Sequence, residues 1–196
     1  MVLSKVELDE EFDNFLDKIG SESDYDIDKI KKAYIYAKES HGEQKRLSGD
    51  YYITHPIEVA KIVYDFGLGT PSIVAALLHD VVEDTDITIS QIREKFGEEI
   101  EILVDGLTKI GTFTESKEDK NIEALRKILL ASTKDIRVLV IKLCDRLHNL
   151  RTLEQLPEEK KERIARNTML IYAPLAQKIG IYSLKWELED LSFKYR

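Results

Sequence analysis

The sequence predicts an all-α protein, a bundle of about nine or ten helices. Apolar residues recur at helical steps, for example at Ile136, Val140, Leu143, Leu147 and Leu150. The few prolines and glycines, 4 and 9 residues, stand mostly at the ends of such runs. No segment has the sustained period of two that a half-buried strand requires.

The predicted helices share end signals: a Thr or Asp cap or an early proline at the start, and often a glycine at the end. They cover residues 28–42, 54–67, 70–84, 88–97, 136–150, 157–180 and 183–195. Asp28 is the candidate cap of the first helix in this series. Pro174 is expected to kink or break the helix that contains it. The polar, aperiodic stretch 111–121 is predicted to be a mobile loop.

Charge divides the chain into two parts. Its 196 residues suit one domain, and 29 basic against 37 acidic residues give a formal net charge of −8. Residues 1–30 hold 3 Lys and 10 Asp or Glu, so the rest is nearly neutral. We expect an acidic lead segment over 1–26, flexible or regulatory, and one domain over 27–196. The charge excludes a nucleic-acid polymer as partner but not a small phosphorylated nucleotide.

Composition also bears on location. A single cysteine, Cys144, excludes a disulfide within the chain and suits a reducing compartment. No apolar run approaches the length of a membrane span, and the acidic start is unlike a secretory signal. We therefore expect a cytoplasmic protein with no membrane partner.

The strongest chemical signal is the run His79-Asp80-Val81-Val82-Glu83-Asp84. Four candidate metal ligands lie at the end of an otherwise apolar helix, where unpaired carboxylates are costly to bury and a divalent cation would compensate them. The alternative is a helix end with surface acids, although acids there oppose the helix dipole. Spacing alone leaves the two interpretations about equal.

Two further segments favour a metal site. His55 stands at a helix start, where it is otherwise a polar residue packing beside Pro56. Asp145 lies on a polar stripe of a core-like helix, and stripes of this kind need solvent or a site; its members are Lys142, Asp145, Asn149 and Thr152. His148 lies off the stripe and is interpreted as a surface or outer histidine, and Cys144 as a small core residue.

His55, His79, Asp80 and Asp145 form a set of two histidines and two carboxylates from three segments. This mixture suits Mn, Fe, Co or Zn better than the all-oxygen sites of Mg or Ca. A divalent ion so held activates water and polarises a phosphoryl oxygen. Glu83 and Asp84 remain to orient that water and move its proton.

These residues resemble the HD-domain metal phosphohydrolases and, more specifically, the alarmone hydrolase domain of RelA/SpoT homologues. The matching strings lie at residues 46–49, 52–56, 79–85, 104–109, 145–153, 171–176, 180–181 and 185–191. An isolated His-Asp doublet is a weak signal, but this ordered set is specific. The resemblance implies the helical bundle of HD domains and a Mn²⁺-dependent hydrolase that removes the 3′-pyrophosphate of (p)ppGpp to give GDP or GTP.

The resemblance also implies roles for individual residues. His55, His79, Asp80 and Asp145 would hold one metal ion, and Glu83 and Asp84 would serve the attacking water, with Glu83 as base. The expected guanosine-binding positions are Arg46, Ser48, Asn149 and Thr152. Lys45 and Arg151 are further candidates for binding the nucleotide or its charge.

Two departures and one boundary stand out. The family commonly has Arg-Lys-Ser-Gly where this chain has Leu47, which removes one positive contact near the nucleotide, although Lys45 is adjacent. Asp50-Tyr51 replaces the usual Glu-Pro. In long family members the helix at 185–191 leads into a synthetase domain, so we expect this chain to be a piece of a bifunctional protein rather than a stand-alone hydrolase.

Two other functions stay open on the sequence. One is an HD phosphohydrolase acting on nucleoside monophosphates, deoxynucleoside triphosphates or cyclic nucleotides, which the Arg-Leu-Ser-Gly and Asn-Leu-Arg-Thr strings disfavour. The other is a non-catalytic domain that binds alarmone or restrains a synthetase. The intact His79, Asp80, Glu83 and Asp84 disfavour the latter.

Overall fold

The computed structural model describes residues 3–22, 24–111, 128–130, 132 and 134–195. The chain divides into two compact units, Met1–Thr108 and Lys109–Arg196. The described residues form helices and no strand, apart from one isolated bridge between Lys45 and Tyr51. The predicted all-α fold is therefore confirmed.

The first unit is built around a buried central helix. Its helices are α1 Lys5–Gly20, α2 Ile27–His41, α3 Thr54–Asp65, α4 Thr70–Leu78, α5 Val81–Asp84, α6 Ile89–Phe96 and most of α7 Glu98–Gly111. Helix α4 is apolar on all sides, and it packs against both α2 and α3. Because its side chains from Ile73 to Leu78 are fully buried, the end of α4 is held firmly by the core.

Helix α1 occupies the segment that the sequence analysis treats as a flexible lead. It starts with a capping box, in which the Ser4 side chain accepts a hydrogen bond from the Glu7 amide and the Glu7 side chain accepts one from the Ser4 amide. Its apolar face contacts α2 and α3, and the ring of Phe12 stacks on Tyr34 with centroids 3.9 Å apart. The net charge of this segment does not indicate that it also carries an apolar face. Residues 5–20 form a helix, which differs from the flexible segment that the charge suggests.

The helix boundaries largely follow the predicted signals. Thr88 forms a capping box with Gln91, and α6 ends at Gly97, whose φ of 93° favours glycine. The cap of α2, however, is Asp26, which accepts a hydrogen bond from the Lys29 amide. Asp28 instead lies in the first turn, where a negative charge still stabilises the helix.

The predicted helix 70–84 is interrupted at its chemically important position. Helix α4 ends at Leu78, and His79 and Asp80 form a turn before α5 begins at Val81. Asp80 has φ −94° and ψ −9°, away from regular helical values. The Asp84 amide still donates to the Asp80 carbonyl at 2.9 Å, so the chain resumes its course after one loosened turn.

The second unit contains the remaining described helices. They are α8 Ile136–Arg151, a 3₁₀ turn at Leu153–Gln155, α9 Glu158–Asn167, α10 Ala173–Lys178 and α11 Tyr182–Phe193. A π-helix over Thr168–Tyr172 joins α9 to α10 directly before Pro174. The proline therefore accompanies a widened turn rather than a full break, which is how helices often absorb an irregularity.

Two sequence features lie at the edge of the description. The predicted loop 111–121 falls outside the described residues from 112 onward. Among the helices that are described, none combines the length and the apolar character needed to cross a membrane.

The packing of α1 predicts a measurable cost for removing Phe12. The substitution Phe12→Ala should lower the free energy of unfolding by about 3–5 kcal/mol, because it deletes a fully buried ring. Val6→Ala, at an exposed position of the same helix, should change it by less than about 0.5 kcal/mol. Urea unfolding followed by circular dichroism measures both. Equal stability of the two variants would show that α1 is not part of the folded unit.

Candidate metal centre

Three side chains of the first unit converge where α3 begins and α4 ends. His55 is the second residue of α3, His79 follows the last residue of α4, and Asp80 precedes α5. His55 and His79 are 3% and 2% exposed, and Asp80 is only slightly more accessible. The imidazoles therefore face the interior, and the predicted surface-acid interpretation of this run does not apply to His79 and Asp80.

The three side chains offer their ligand atoms to one point. One ligand atom from each lies within 4.8 Å of the other two. His79 Nε2 is 3.1 Å from Asp80 Oδ1, and His55 Nε2 is 3.6 Å from Asp80 Oδ2. The two rings are 5.1 Å apart at an angle of 66°, so they approach the carboxylate from different directions. Among the described residues, this is the cluster that fits a metal ion.

The tautomer of His79 also fits a metal ligand. Its Nδ1 lies 2.7 Å from the carbonyl oxygen of Ala76. A carbonyl can only accept, so Nδ1 carries a proton, and in the neutral imidazole the lone pair is then on Nε2. Metal-binding histidines commonly have this outer hydrogen bond, which fixes the ring and its tautomer.

A tyrosine that the sequence analysis did not single out contacts the cluster. The Tyr52 hydroxyl donates to Asp80 Oδ2 at 2.9 Å. Burial, with the carboxylates of Asp80 and Asp84, raises the pKa of Tyr52, so its hydroxyl stays protonated and acts as a donor. The sequence signal that could have identified Tyr52 was its position in the matched string 52–56, three residues before His55.

The two predicted proton-transfer residues lie on the short helix after Asp80. Glu83 and Asp84 are exposed and line an open cleft of 510 Å³ together with Gln44 and Thr85. They are therefore reachable by solvent and by a ligand in that cleft, whereas the two histidines are buried. Within residues 79–84, the candidate ligand His79 is therefore buried, whereas the carboxylates of Glu83 and Asp84 are exposed.

The predicted nucleotide-binding residues 45–48 lie on a small hairpin. The Arg46 amide donates to the Asp50 carbonyl at 2.9 Å, and Gly49 turns the chain with φ 88°. Leu47 stands at its tip with 73% of its surface exposed. The Lys45 ammonium lies over the Tyr51 ring, 5.1 Å from its centroid. We call residues 45–51 the binding hairpin.

The remaining predicted site residues belong to α8 in the second unit. Asp145 is buried, pairs with the Lys142 ammonium at 2.8 Å and accepts a hydrogen bond from Asn149 at 2.7 Å. The guanidinium of Arg151 pairs with Glu187 at 2.6 Å, and the Thr152 hydroxyl donates to the His148 carbonyl at 3.1 Å. Lys142, Asp145 and Asn149 of the predicted stripe are thus joined by polar contacts, and the roles of the stripe's members in a site stay predictions.

Two other residues of α8 were assigned outside the site. Cys144 is fully buried and burial raises the pKa of its thiol, which agrees with a core residue rather than a nucleophile. His148 is also buried, so it is not a surface histidine.

Residues 33–182 match the family model of the HD domain. The chain belongs to the HD domain family. The match contains the His79-Asp80 doublet, and the buried cluster of the first unit could hold the divalent metal ion that such a domain implies.

Curated relatives of this HD domain protein carry two names, a pyrophosphohydrolase and a pyrophosphokinase. The guanosine-3′,5′-bis(diphosphate) 3′-pyrophosphohydrolase of Aquifex aeolicus is 47% identical over 193 residues, which cover 98% of this chain and 27% of that protein. The probable enzyme of the same name from Synechocystis is 53% identical over 167 residues, 85% of this chain and 22% of that protein. The GTP pyrophosphokinase of Myxococcus xanthus is 50% identical over 176 residues, 88% of this chain and 23% of that protein.

A solved structure adds a shorter protein to the comparison. It is described as a metazoan ortholog of SpoT that hydrolyzes ppGpp, and it is 25% identical with a TM-score of 0.66. The match covers 85% of this chain and 94% of that one. The chain spans only 22–27% of the length of the curated relatives cited above. Together these similarities confirm the resemblance to RelA/SpoT hydrolases.

The cluster predicts which carboxylate is essential for binding metal. Asp80→Asn should weaken Mn²⁺ binding by more than about 100-fold, beyond the effect usual for outer contacts, because an amide replaces the anionic ligand. Asp17→Asn makes the same change at an exposed residue of α1 and should leave the affinity unchanged. Calorimetric titration of chelator-treated protein measures both. Equal affinities would remove Asp80 from the site.

Proposed function

We propose that this chain hydrolyses the 3′-pyrophosphate of (p)ppGpp in the presence of Mn²⁺, giving GDP or GTP and pyrophosphate. The observation that carries the proposal is the buried His55, His79 and Asp80 cluster, followed directly by the accessible carboxylates of Glu83 and Asp84. Relatives about half identical to it are named for this reaction. The reaction of a synthetase domain, for which other relatives are named, is not part of the proposal for this region.

Three residues of the cluster would hold the metal through His55 Nε2, His79 Nε2 and the Asp80 carboxylate. Asp145 is proposed as a fourth ligand from the resemblance, and its buried carboxylate, fixed by Lys142 and Asn149, is of the right chemical type. A divalent ion supplies Lewis-acid chemistry: it polarises a phosphoryl oxygen and lowers the pKa of water. Histidine with carboxylate is a ligand mixture that accommodates Mn²⁺.

Glu83 is proposed as the general base and Asp84 as its partner in orienting water. Water attacks the phosphorus next to the ribose 3′ oxygen, Glu83 takes the proton of that water, and the bond from phosphorus to the 3′ oxygen breaks. The leaving oxygen receives a proton and becomes the 3′ hydroxyl of the product. The exposure of Glu83 and its place on α5, three residues after Asp80, support this assignment.

The binding hairpin is proposed to hold the guanosine through Arg46 and Ser48, with Lys45 near the phosphates. Asn149 and Thr152 are proposed to assist, and Arg151 to offset developing negative charge. Arg151 is paired with Glu187, so a phosphate must compete with that carboxylate for the guanidinium. The partner we propose is thus a small nucleotide. The buried free thiol of Cys144 fits the cytoplasmic location that we also propose.

The proposal is tested by incubating the protein with ppGpp and Mn²⁺ and separating the products. We expect GDP and pyrophosphate in equal amounts, and none after chelation. Parallel reactions with a deoxynucleoside triphosphate, a nucleoside monophosphate and a cyclic nucleotide identify any other substrate of an HD phosphohydrolase. Binding of ppGpp without product would instead support a regulatory domain and contradict the proposal.

The role of Glu83 predicts separate effects on rate and on metal binding. Glu83→Gln should lower kcat by about 10²–10⁴-fold, the usual contribution of a general base, with Mn²⁺ affinity retained. Glu94→Gln, an exposed change on α6, should leave the rate unaltered and serves as the control. Steady-state kinetics and calorimetry measure the two quantities. An unimpaired rate in Glu83→Gln would exclude Glu83 as the base.

A further inference from the structure

The short helix α5 is held at both ends by one stretch of chain, residues 41–52. Asp80 lies immediately before α5 and Asp84 is its last residue. A helix of four residues has too few internal hydrogen bonds to fix its own direction. The contacts from residues 41–52, together with the buried side chain of Val81, therefore help to fix the two ends of α5.

The first contact acts on the Asp80 carboxylate. Its two oxygens have different neighbours: Oδ1 is 3.1 Å from His79 Nε2, whereas Oδ2 is 3.6 Å from His55 Nε2 and also accepts the Tyr52 hydroxyl at 2.9 Å. A hydrogen bond on one oxygen restricts rotation of the carboxylate. The other oxygen is thereby kept in line with the imidazole, as outer donors do for carboxylate ligands elsewhere.

Tyr52 is itself fixed by a stacked histidine. The rings of His41 and Tyr52 lie 4.6 Å apart at 25°, and His41 is buried at the end of α2. His41 Nδ1 is 2.9 Å from the Gln44 side-chain oxygen, which can only accept, so Nδ1 carries the proton. This stack leaves the Tyr52 ring little freedom to move away from Asp80.

The second contact acts on the other end of α5. The Gln44 amide nitrogen donates to the Asp84 main-chain carbonyl at 2.9 Å. This carbonyl is at a helix C-terminus, where main-chain acceptors lack partners within the helix. The bond orients the Gln44 amide, and its oxygen is then directed at His41. A continuous set of contacts thus runs from Asp80 through Tyr52, His41 and Gln44 to Asp84.

We propose that Tyr52 and Gln44 are positioning residues: Tyr52 orients Asp80 toward the metal, and Gln44 holds α5 so that Glu83 faces the reacting phosphate. The inference rests on the proposed function and deepens it. Neither residue touches the reacting atoms in this assignment. Their effects should therefore appear in different measurements, Tyr52 in metal affinity and Gln44 in the rate at saturating metal.

The test for Tyr52 is the substitution Tyr52→Phe, which keeps the ring and its stack and removes only the hydroxyl. We expect the Mn²⁺ dissociation constant to rise about 10–100-fold. The Mn²⁺ dependence of turnover should shift in the same way, while KM for ppGpp at saturating Mn²⁺ is unchanged. Calorimetry with Mn²⁺ alone gives the first result without any turnover.

Tyr34→Phe is the matched control. The Tyr34 hydroxyl also donates to a carboxylate, Asp9 Oδ1 at 2.7 Å, and its ring is buried in the same unit. This variant should keep the parent Mn²⁺ affinity. A dissociation constant for Tyr52→Phe that equals that of Tyr34→Phe would overturn the assignment of Tyr52, as would failure of the parent protein to bind Mn²⁺.

The test for Gln44 is Gln44→Ala. We expect kcat at saturating Mn²⁺ to fall about 10-fold or more, because small displacements of a catalytic group are costly, with Mn²⁺ affinity retained. A parent-like kcat would overturn its role. A parent protein that binds Mn²⁺ but releases no pyrophosphate would contradict the proposed function and the role of Gln44, while the role of Tyr52 would still be decided by the calorimetry.

Discussion

The candidate site of the first unit depends on one arrangement: the Asp80 carboxylate lies beside the buried imidazoles of His55 and His79. Taking Asp80 out of water is costly unless charge or hydrogen bonds compensate it. The chain supplies the Tyr52 hydroxyl and the neighbouring nitrogens of His55 and His79, and a divalent cation would supply the remainder. The two histidines reach Asp80 only because α3 begins and α4 ends beside it.

The core explains how those helix ends are fixed. Helix α4 is buried on all sides, and it packs against both α2 and α3. His79 follows this rigid helix directly, while His55 lies in the first turn of α3 beside it. After the loosened turn at Asp80, α5 carries Glu83 and Asp84 at exposed positions. The buried helix α4 therefore fixes the position of His79, and the short helix α5 leaves the carboxylates of Glu83 and Asp84 accessible to solvent.

Local features were predictable from the sequence because they depend on neighbouring residues. The cap at Thr88, the stop at Gly97 and the His79-Asp80 doublet belong to this class. Features that depend on distant residues were not. The stack of Phe12 on Tyr34, the bond from Tyr52 to Asp80 and the bond from Gln44 to Asp84 join residues 22, 28 and 40 positions apart. The acidic composition of residues 1–30 also obscured the apolar face of α1.

The central claim is that His55, His79 and Asp80 hold a divalent metal, and it is tested most directly by anomalous X-ray scattering at the manganese edge. Crystals grown with Mn²⁺ should show an anomalous peak in contact with His55 Nε2, His79 Nε2 and the Asp80 carboxylate. Coordination distances to nitrogen and oxygen should be near 2.0–2.3 Å, roughly the range of such bonds in proteins. A crystal saturated with Mn²⁺ that has its peaks elsewhere, and none at these three side chains, would contradict the account.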